Sequence, residues 1–491
     1  MRPNIIVFMT DHQRGDTVSE NSPVKTPNID RFRRRAVTFT DSYCSAPHCC
    51  PSRASFFSGL YPSEHGVWNN VNVSNCLSRG LFDGVKLFSE DLAEAGYKVY
   101  LSGKWHVSSR QGPEQFQIEP LYHTGVYRDY PNRPDTSEWN AYFQKESPVD
   151  LEDRERGEGE IVRPGYPAYT QYGIDGHPFH DEEVVMAAVE KIPELRREGN
   201  PYFLFVGPLG PHDPYYVPER FLEWYDPEEV ELPESFFDRM EDKPALYRRT
   251  KGCFSQLSEA EQRECIRHFY AFCSYEDWLF GKLLDAVGEQ ALEEDTIVFY
   301  LSDHGDYIGS HGLWTKGLPC FKEAYHICAV AGGAGIRRPG RSESAPVSIT
   351  DFAPTILDLA RIPDRRSFSG QSLVPFLRDE TVNHWRTESY SQTNGNEIYG
   401  IQRAVWNRKW KYVFNTFDYD ELYDLEEDPH EMKNLLHGIE CVEKSIYGSV
   451  VRELSKKMWE FAYEHQDNCV NPYIMTALAP FGPGIIRGER K

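Results

Sequence analysis

Ile5-Ile6-Val7-Phe8-Met9-Thr10-Asp11-His12 reads as a buried strand that ends in chemistry: an apolar run, then a carboxylate and an imidazole. Three more short runs have the same form. Residues 99–101 lead to Lys104 and His106, residues 202–206 to His212 and Asp213, and residues 297–301 to Asp303, His304 and Asp306. Short runs rich in β-branched and aromatic residues, bounded by polar or Gly/Pro residues, are the mark of strands buried on both faces. Helical patterns lie between them. One spans 89–95 and is closed by Gly96; another spans 258–287 and is opened by Ser258 and Glu261 at capping-box spacing. Strands alternating with helices predict an α/β fold, with a large, mostly parallel central sheet covered by helices on both faces. Ligands of such sheets bind beyond the carboxyl ends of the strands. Parallel strands bring all four polar clusters to one edge, which is where the site is expected.

The pattern changes after about residue 375. Residues 385–412 alternate aromatic and polar side chains around an Asn394-Gly395 turn signal, and a closing helix is expected over 449–463. The expected organisation is a main α/β domain over 1–375 and a smaller α+β subdomain over 376–491, with an antiparallel sheet and a helix. Residues 111–172, rich in Tyr, Pro and charge, read as a long excursion that shapes the rim of the pocket.

Composition narrows the function. The 491 residues carry 53 Lys+Arg against 76 Asp+Glu, a net charge of −23, which argues against a nucleic-acid backbone as partner. A local cluster of Lys, Arg and His can still receive an anion. With 40% hydrophobic and 14% aromatic residues, there is ample material for a core. The longest apolar runs are about six residues against the roughly 20 a membrane helix needs, so no membrane partner is expected. As written the chain reads as cytoplasmic, or as periplasmic or secreted if a signal peptide has been removed. The 11 Cys form no CxxC pair and read mainly as buried thiols, apart from the local trio Cys44, Cys49 and Cys50.

Cys49-Cys50-Pro51-Ser52-Arg53 precedes a short helical pattern that ends at Gly59. Pro51 suits the first helical position, which would put Cys49 just before a helix N-terminus, where anions are favoured. Arg53 can point back to the same spot. A buried thiol beside a structural arginine fits this segment equally well. A cysteine-phosphatase loop does not, since it needs five residues between Cys and Arg.

Cys-x-Pro-Ser-Arg followed by Gly59-Leu60-Tyr61-Pro62 resembles the signature of the sulfatase family, within the alkaline-phosphatase superfamily. The resemblance runs on through Gly103-Lys104-Trp105-His106, Gly210-Pro211-His212-Asp213-Pro214, Ser302-Asp303-His304-Gly305-Asp306, His311-Gly312-Leu313-Trp314-Thr315-Lys316 and Leu422-Tyr423-Asp424-Leu425. It implies that Cys49 is oxidised to formylglycine by a formylglycine-generating enzyme, and that its hydrate attacks a sulfate ester on a carbohydrate or aryl alcohol. It also implies one divalent metal ion, Ca by family, with Mn, Mg or Zn as alternatives. The implied ligands are Asp11, His12, residue 49, Asp303 and His304. Arg53, Lys104 and Lys316 supply fixed positive charge, His106 assists release of sulfate, and His212 protonates the leaving alcohol. Asp306 reads as a loop cap, outside the metal shell. Homo-oligomerisation stays open.

One departure bears on the chemistry. Many sulfatases have two adjacent Asp after the first strand; here the pair is Asp11-His12. A second nitrogen donor would suit Mn, Fe or Zn better than Ca, unless the His12 ring turns away from the metal. Phosphonate monoester and phosphodiester hydrolases of the same superfamily also depart from the Asp-Asp pair, so they form the alternative function. A cysteine hydrolase with unmodified Cys49 and a binding protein on an inactive fold are the remaining rivals.

Overall fold

The computed structural model describes residues 2–73, 75–123, 156–163, 168–363, 366–396, 398–470 and 478–486. Much of the expected excursion over 111–172 lies outside these residues. The main sheet has eight strands: β1 Asn4–Thr10, β2 Ala36–Phe39, β3 Lys98–Gly103, β4 Glu119–His123, β5 Tyr202–Gly207, β6 Thr296–Ser302, β7 Ala329–Gly333 and β8 Arg341–Glu343. Their spatial order is β8-β2-β7-β6-β1-β5-β3-β4. Every neighbouring pair is parallel except the two that involve β7. The sheet is therefore mostly parallel, as the alternation of strands and helices predicts.

The pleat of β1 divides its side chains between two cores. Ile5, Val7 and Met9 face one, with Ala54 and Phe57 of α1 (Cys49–Ser58), Leu92 of α2 (Phe88–Glu94) and Ile356 of α5 (Phe352–Leu359). Ile6 and Phe8 face the other, with Val184 and Ala188 of α3 (Asp181–Glu198) and Phe272 and Leu279 of α4 (Glu259–Glu289). Helices thus cover both faces. Helix α4 begins as its capping box requires: Ser258 accepts from the Glu261 N–H, and the Ser258 N–H donates to Glu261 Oε2. Among the described residues, no helix is long and apolar enough to cross a membrane.

A second, antiparallel sheet follows, made of β9 Ser389–Gly395, β10 Tyr399–Trp406, β11 Trp410–Asn415 and β12 Glu421–Asp424. One face packs Val405, Tyr412 and Phe414 against Val451, Met458 and Trp459 of helix α6, Gly448–Glu464. The other face adds Ala404, Trp406, Val413 and Tyr423 to the first core of the main sheet. The turn that Asn394-Gly395 signals falls directly after it, between β9 and β10. Gly395, at φ +78°, closes β9 and pairs with Tyr399 across a register shift.

Candidate active site

The sheet register assembles the site. β1 and β6 pair in step from Asn4↔Thr296 to Thr10↔Ser302, so Asp11 and Asp303 emerge side by side. β3 and β5 pair as far as Gly103↔Gly207, and the Lys104 N–H then donates to Gly207 O at 2.8 Å. The Asp11 N–H donates to Gly210 O at 3.1 Å, which ties the His212 loop to the same edge.

Helix α1 delivers Cys49 and Arg53. The helix starts earlier than its Pro suggests: His48 is the cap, Cys49 the first helical residue and Pro51 the third. Its end is as expected, with Gly59 at φ +72° and its N–H donating to Ser55 O. Arg53 follows Cys49 by one turn and lies on the same face. It is fully buried: Nε donates to Asp303 Oδ2 at 2.8 Å, one terminal nitrogen to Asp11 Oδ2 at 3.4 Å and the other to Lys104 O at 3.2 Å. Lys104 Nζ donates to the same Asp11 oxygen. Cys49 Sγ lies 3.4 Å from Asp11 Oδ1 and 3.2 Å from His304 Nε2. Burial opposes the ionisation of Asp11, but Lys104 and Arg53 outweigh it and hold the carboxyl well below the usual range.

His304 is oriented by its own backbone neighbourhood. Nδ1 lies 2.8 Å from Gly305 O and donates to it. That fixes Nε2 as the lone-pair nitrogen, 3.6 Å from Asp11 Oδ1 and 3.8 Å from Asp303 Oδ1. Burial, more than any neighbouring charge, pushes this imidazole down and keeps it neutral. Asp11, Cys49, Asp303 and His304 each offer a donor atom, all within 4.8 Å of one another. Two carboxylates, an imidazole lone pair and the residue-49 side chain fit a divalent cation.

His12 belongs to a neighbouring group. It is fully buried, at φ +66°, with its ring 3.9 Å from that of His212 and 4.5 Å from that of His304. Nδ1 lies 3.1 Å from Asp306 Oδ2, and Nε2 lies 2.6 Å from Lys316 Nζ. Asp11, His12, Cys49 and His212 form a second donor cluster of the same span. Burial, with His212 and Lys316 nearby, holds His12 well below its ordinary value and so neutral. Lys316 Nζ also reaches His212 Nε2 at 3.3 Å, while His212 Nδ1 donates to Asp213 O at 2.5 Å. His212 is 26% exposed at its side chain, whereas Asp11, His12, Arg53, Asp303 and His304 are sealed. The mouth of the site is therefore at His212.

Every site residue singled out from sequence lies in this cluster or at its edge. His106, at the edge, binds Asn72 Oδ1 through Nε2 at 2.8 Å. A cavity of about 230 Å³ opens beside Lys104, His106 and His212, and Val71, Trp105, Phe179 and Leu209 make its wall mostly apolar. Sequence reasoning missed Asn72, which sits in an unremarkable Asn-rich stretch, and Tyr215, whose hydroxyl donates to Asp306 Oδ2 at 2.8 Å. It also undervalued Asp306. Burial, with the Asp213 charge added, pushes that carboxyl up to about 7, yet the His12 ring, the Tyr215 hydroxyl and the Ile308 N–H all converge on it as donors.

A family profile described as Sulfatase matches residues 3–362, and one described as N-sulphoglucosamine sulphohydrolase, C-terminal, matches residues 309–464. A choline-sulfatase from Rhizobium meliloti is 30% identical over 450 residues, covering 88% of this chain and 82% of the relative. A phosphonate monoester hydrolase from Silicibacter pomeroyi superposes with a TM-score of 0.76 at 19% identity, covering 96% of this chain and 97% of that one. A protein solved in complex with its substrate D-glucosamine-2-N,6-O-disulfate superposes with a TM-score of 0.72 at 20% identity, covering 95% and 99%. At such identities the two structural likenesses carry the fold alone.

Proposed function

The chain belongs to the sulfatase family and is a hydrolase of sulfate esters, and from that premise we propose how its residues divide the work. Cys49, matured to formylglycine by a formylglycine-generating enzyme, supplies the nucleophilic hydroxyl as its hydrate. Asp11, Asp303, His304 and the residue-49 side chain hold one divalent ion, Ca by family, with Mn, Mg or Zn as alternatives, of which Mn and Zn suit the His304 nitrogen better than Ca does. When bound, that ion neutralises the nonbridging oxygens of the ester as a Lewis acid. The supporting observation is the placement of Cys49 Sγ within 3.4 Å of both Asp11 and His304, on the first turn of a helix whose Arg53 binds both aspartates.

The chain's own groups orient the rest. Arg53 and Lys104 keep Asp11 ionised and aimed inward, and they place fixed positive charge where the sulfuryl group gains negative charge. His212, at the mouth, gives a proton to the leaving oxygen, and Lys316 stands beside it. His106, held by Asn72, assists release of sulfate. Both His12 nitrogens are engaged, by Asp306 and Lys316, so we place His12 beside the ion's shell. The leaving alcohol occupies the apolar-walled cavity and is a sugar, an aryl group or, as the name of the Rhizobium relative suggests, another small alcohol. Residues 1–375 form the catalytic domain and 376–491 the C-terminal subdomain.

Phosphonate monoester or phosphodiester hydrolysis is the second reading. The Asp11-His12 pair favours it, because phosphonate monoester and phosphodiester hydrolases of the same superfamily also depart from the adjacent Asp-Asp pair. Paired kinetics on 4-nitrophenyl sulfate and 4-nitrophenyl phenylphosphonate decide between them. Faster sulfate turnover supports the proposal, and preference for the phosphonate reverses it. Mass spectrometry of the tryptic peptide holding Cys49 tests the nucleophile separately: an active preparation with an intact thiol there would remove formylglycine from the mechanism.

A further inference from the structure

The loop that carries His212 hangs on one buried carboxyl. Asp181 opens α3 and is fully buried. The Leu209 N–H donates to its Oδ1 at 2.7 Å and the Gly210 N–H to its Oδ2 at 2.8 Å. The Leu209–Gly210 peptide is therefore held at both ends, because its carbonyl, Leu209 O, accepts the His212 N–H at 3.1 Å. A peptide unit is planar, so fixing its N–H also fixes the direction of its C=O. One peptide further on, Gly210 O accepts the Asp11 N–H at 3.1 Å. Glu276 of α4 lies directly behind this turn. A Cβ on Gly210 would run into Glu276 Oε1 and the Phe272 ring. Glu276 is fully buried, and no donor among the described residues faces either of its oxygens. A carboxylate without a donor does not stay ionised in such a place. Burial, with the Asp181 charge added, pushes the Glu276 carboxyl well above its ordinary range, so it carries a proton, and Asp181 is the acceptor it meets.

We propose that Asp181 is a positioning residue: with the proton-bearing Glu276 behind it, it anchors the 209–212 loop and so sets His212 and the Leu209 wall of the cavity against the reacting ester. The proposal rests on sulfate ester hydrolysis at this site. Leu209 and His212 both line the cavity that takes the leaving alcohol. Cys49, Arg53 and Lys104 are held by contacts of their own with Asp11, Asp303 and His304. The sulfuryl end of the site therefore keeps its shape without Asp181, and the leaving-group end does not. An asparagine at 181 fills the same space but brings one oxygen to two N–H bonds, and its own amide N–H groups face donors. Volume is kept and the anchor is lost, which separates positioning from packing.

The test compares the metal-loaded parent with Asp181→Asn, Glu276→Gln and Glu276→Leu. Asp181→Asn is expected to lower kcat on phenyl sulfate about 100-fold, the usual scale for a site misplaced by an ångström. Its inhibition constant for inorganic sulfate, which reads the sulfuryl end, should stay within about threefold, as for a separate site. Hydrogen exchange at the Leu209 and Gly210 amides should quicken about tenfold or more in the same variant, because their acceptor is weakened. Glu276→Leu removes the donor to Asp181 and should cost about tenfold in kcat. Glu276→Gln keeps an N–H for Asp181 and should recover most of that loss, and this pair decides the matter if Asp181→Asn fails to fold. An unchanged kcat in Asp181→Asn, a matching loss of kcat and sulfate affinity, or equal effects of Gln and Leu at 276 overturn the proposal. A parent inert to every sulfate ester removes the sulfatase reading and the positioning role with it, whereas an active parent with an unaffected variant removes the positioning role alone.

Discussion

Cys49 and Cys50 are adjacent, both buried, and differ completely in what they touch. Cys49 faces Asp11 and His304, whereas Cys50 Sγ accepts the Val71 N–H at 3.4 Å and packs in the core of the main sheet. Cys49→Ala is therefore expected to lower kcat at least about a thousandfold while the protein stays folded, because the proposed nucleophile is lost and only one small atom is removed. Cys50→Ala should keep activity within about tenfold and instead cost about 1 kcal/mol of stability by leaving a small void. Steady-state kinetics and chemical denaturation of the two variants check this, and activity lost with Cys50 would reverse the assignment. At this scale the motif was legible, since Cys-x-Pro-Ser-Arg fixes both register and partner. The His12–Asp306–Tyr215 contacts were not, because 91 residues separate Tyr215 from Asp306 and no spacing rule connects them.

Strand ends carry the chemistry, and the backbone around them leaves no slack. Gly103 closes β3 at φ +98°, and a Cβ there would lie 2.2 Å from Gly207 O of the neighbouring strand. Gly103→Ala must push β3 away from β5. The expected cost is about 1–3 kcal/mol from overpacking alone, with more from the left-handed backbone. Because Lys104 is the next residue, kcat should fall with stability, and a denaturant melt beside single-substrate kinetics measures both. An alanine variant with parental stability and kcat would show that this crossing is not tight. Strands β1, β3, β5 and β6 were readable as elements because their apolar runs are short and sharply bounded. Where Asn394-Gly395 places the turn was not, since Gly395 was free to pair with Tyr399 instead. The start of α1 was misjudged for a related reason: Pro is tolerated anywhere in the first turn, so Pro51 marks a helix start only to within a turn.

In the whole molecule, the proposed ion joins segments that the chain keeps far apart. Asp11 ends β1 and Asp303 ends β6, at the centre of the sheet, with Arg53 bound to both. A ligand that binds only this folded arrangement stabilises it by RT ln(1 + [L]/Kd), about 4 kcal/mol at a thousandfold excess over Kd. Removing the ion with EDTA should lower the Tm by several degrees, and restoring the preferred metal should recover it, which differential scanning calorimetry can follow. An unchanged Tm would mean that the four donors hold no ion. The Asp11→Asn variant should show the lower Tm with or without EDTA and bind less metal by elemental analysis. The overall sheet was legible from four runs and their trailing polar residues. The reversal of β7 was not, because direction leaves no trace in a short apolar run.

The seal around Cys49 also sets a clock. The residue is 1% exposed, and one of its two close partners, His304, lies 255 residues further along the chain. On a ribosome adding about 5–20 residues per second, roughly 10–50 s pass between the appearance of the thiol and that of His304. Any protein that must grip Cys49 to change it chemically has that interval, and the time until β6 docks on β1, in which to act. Slower translation between these positions lengthens the interval, and faster folding shortens it. If Cys49 is matured as proposed, the yield of active molecules is then fixed during synthesis, before any of them has met a substrate.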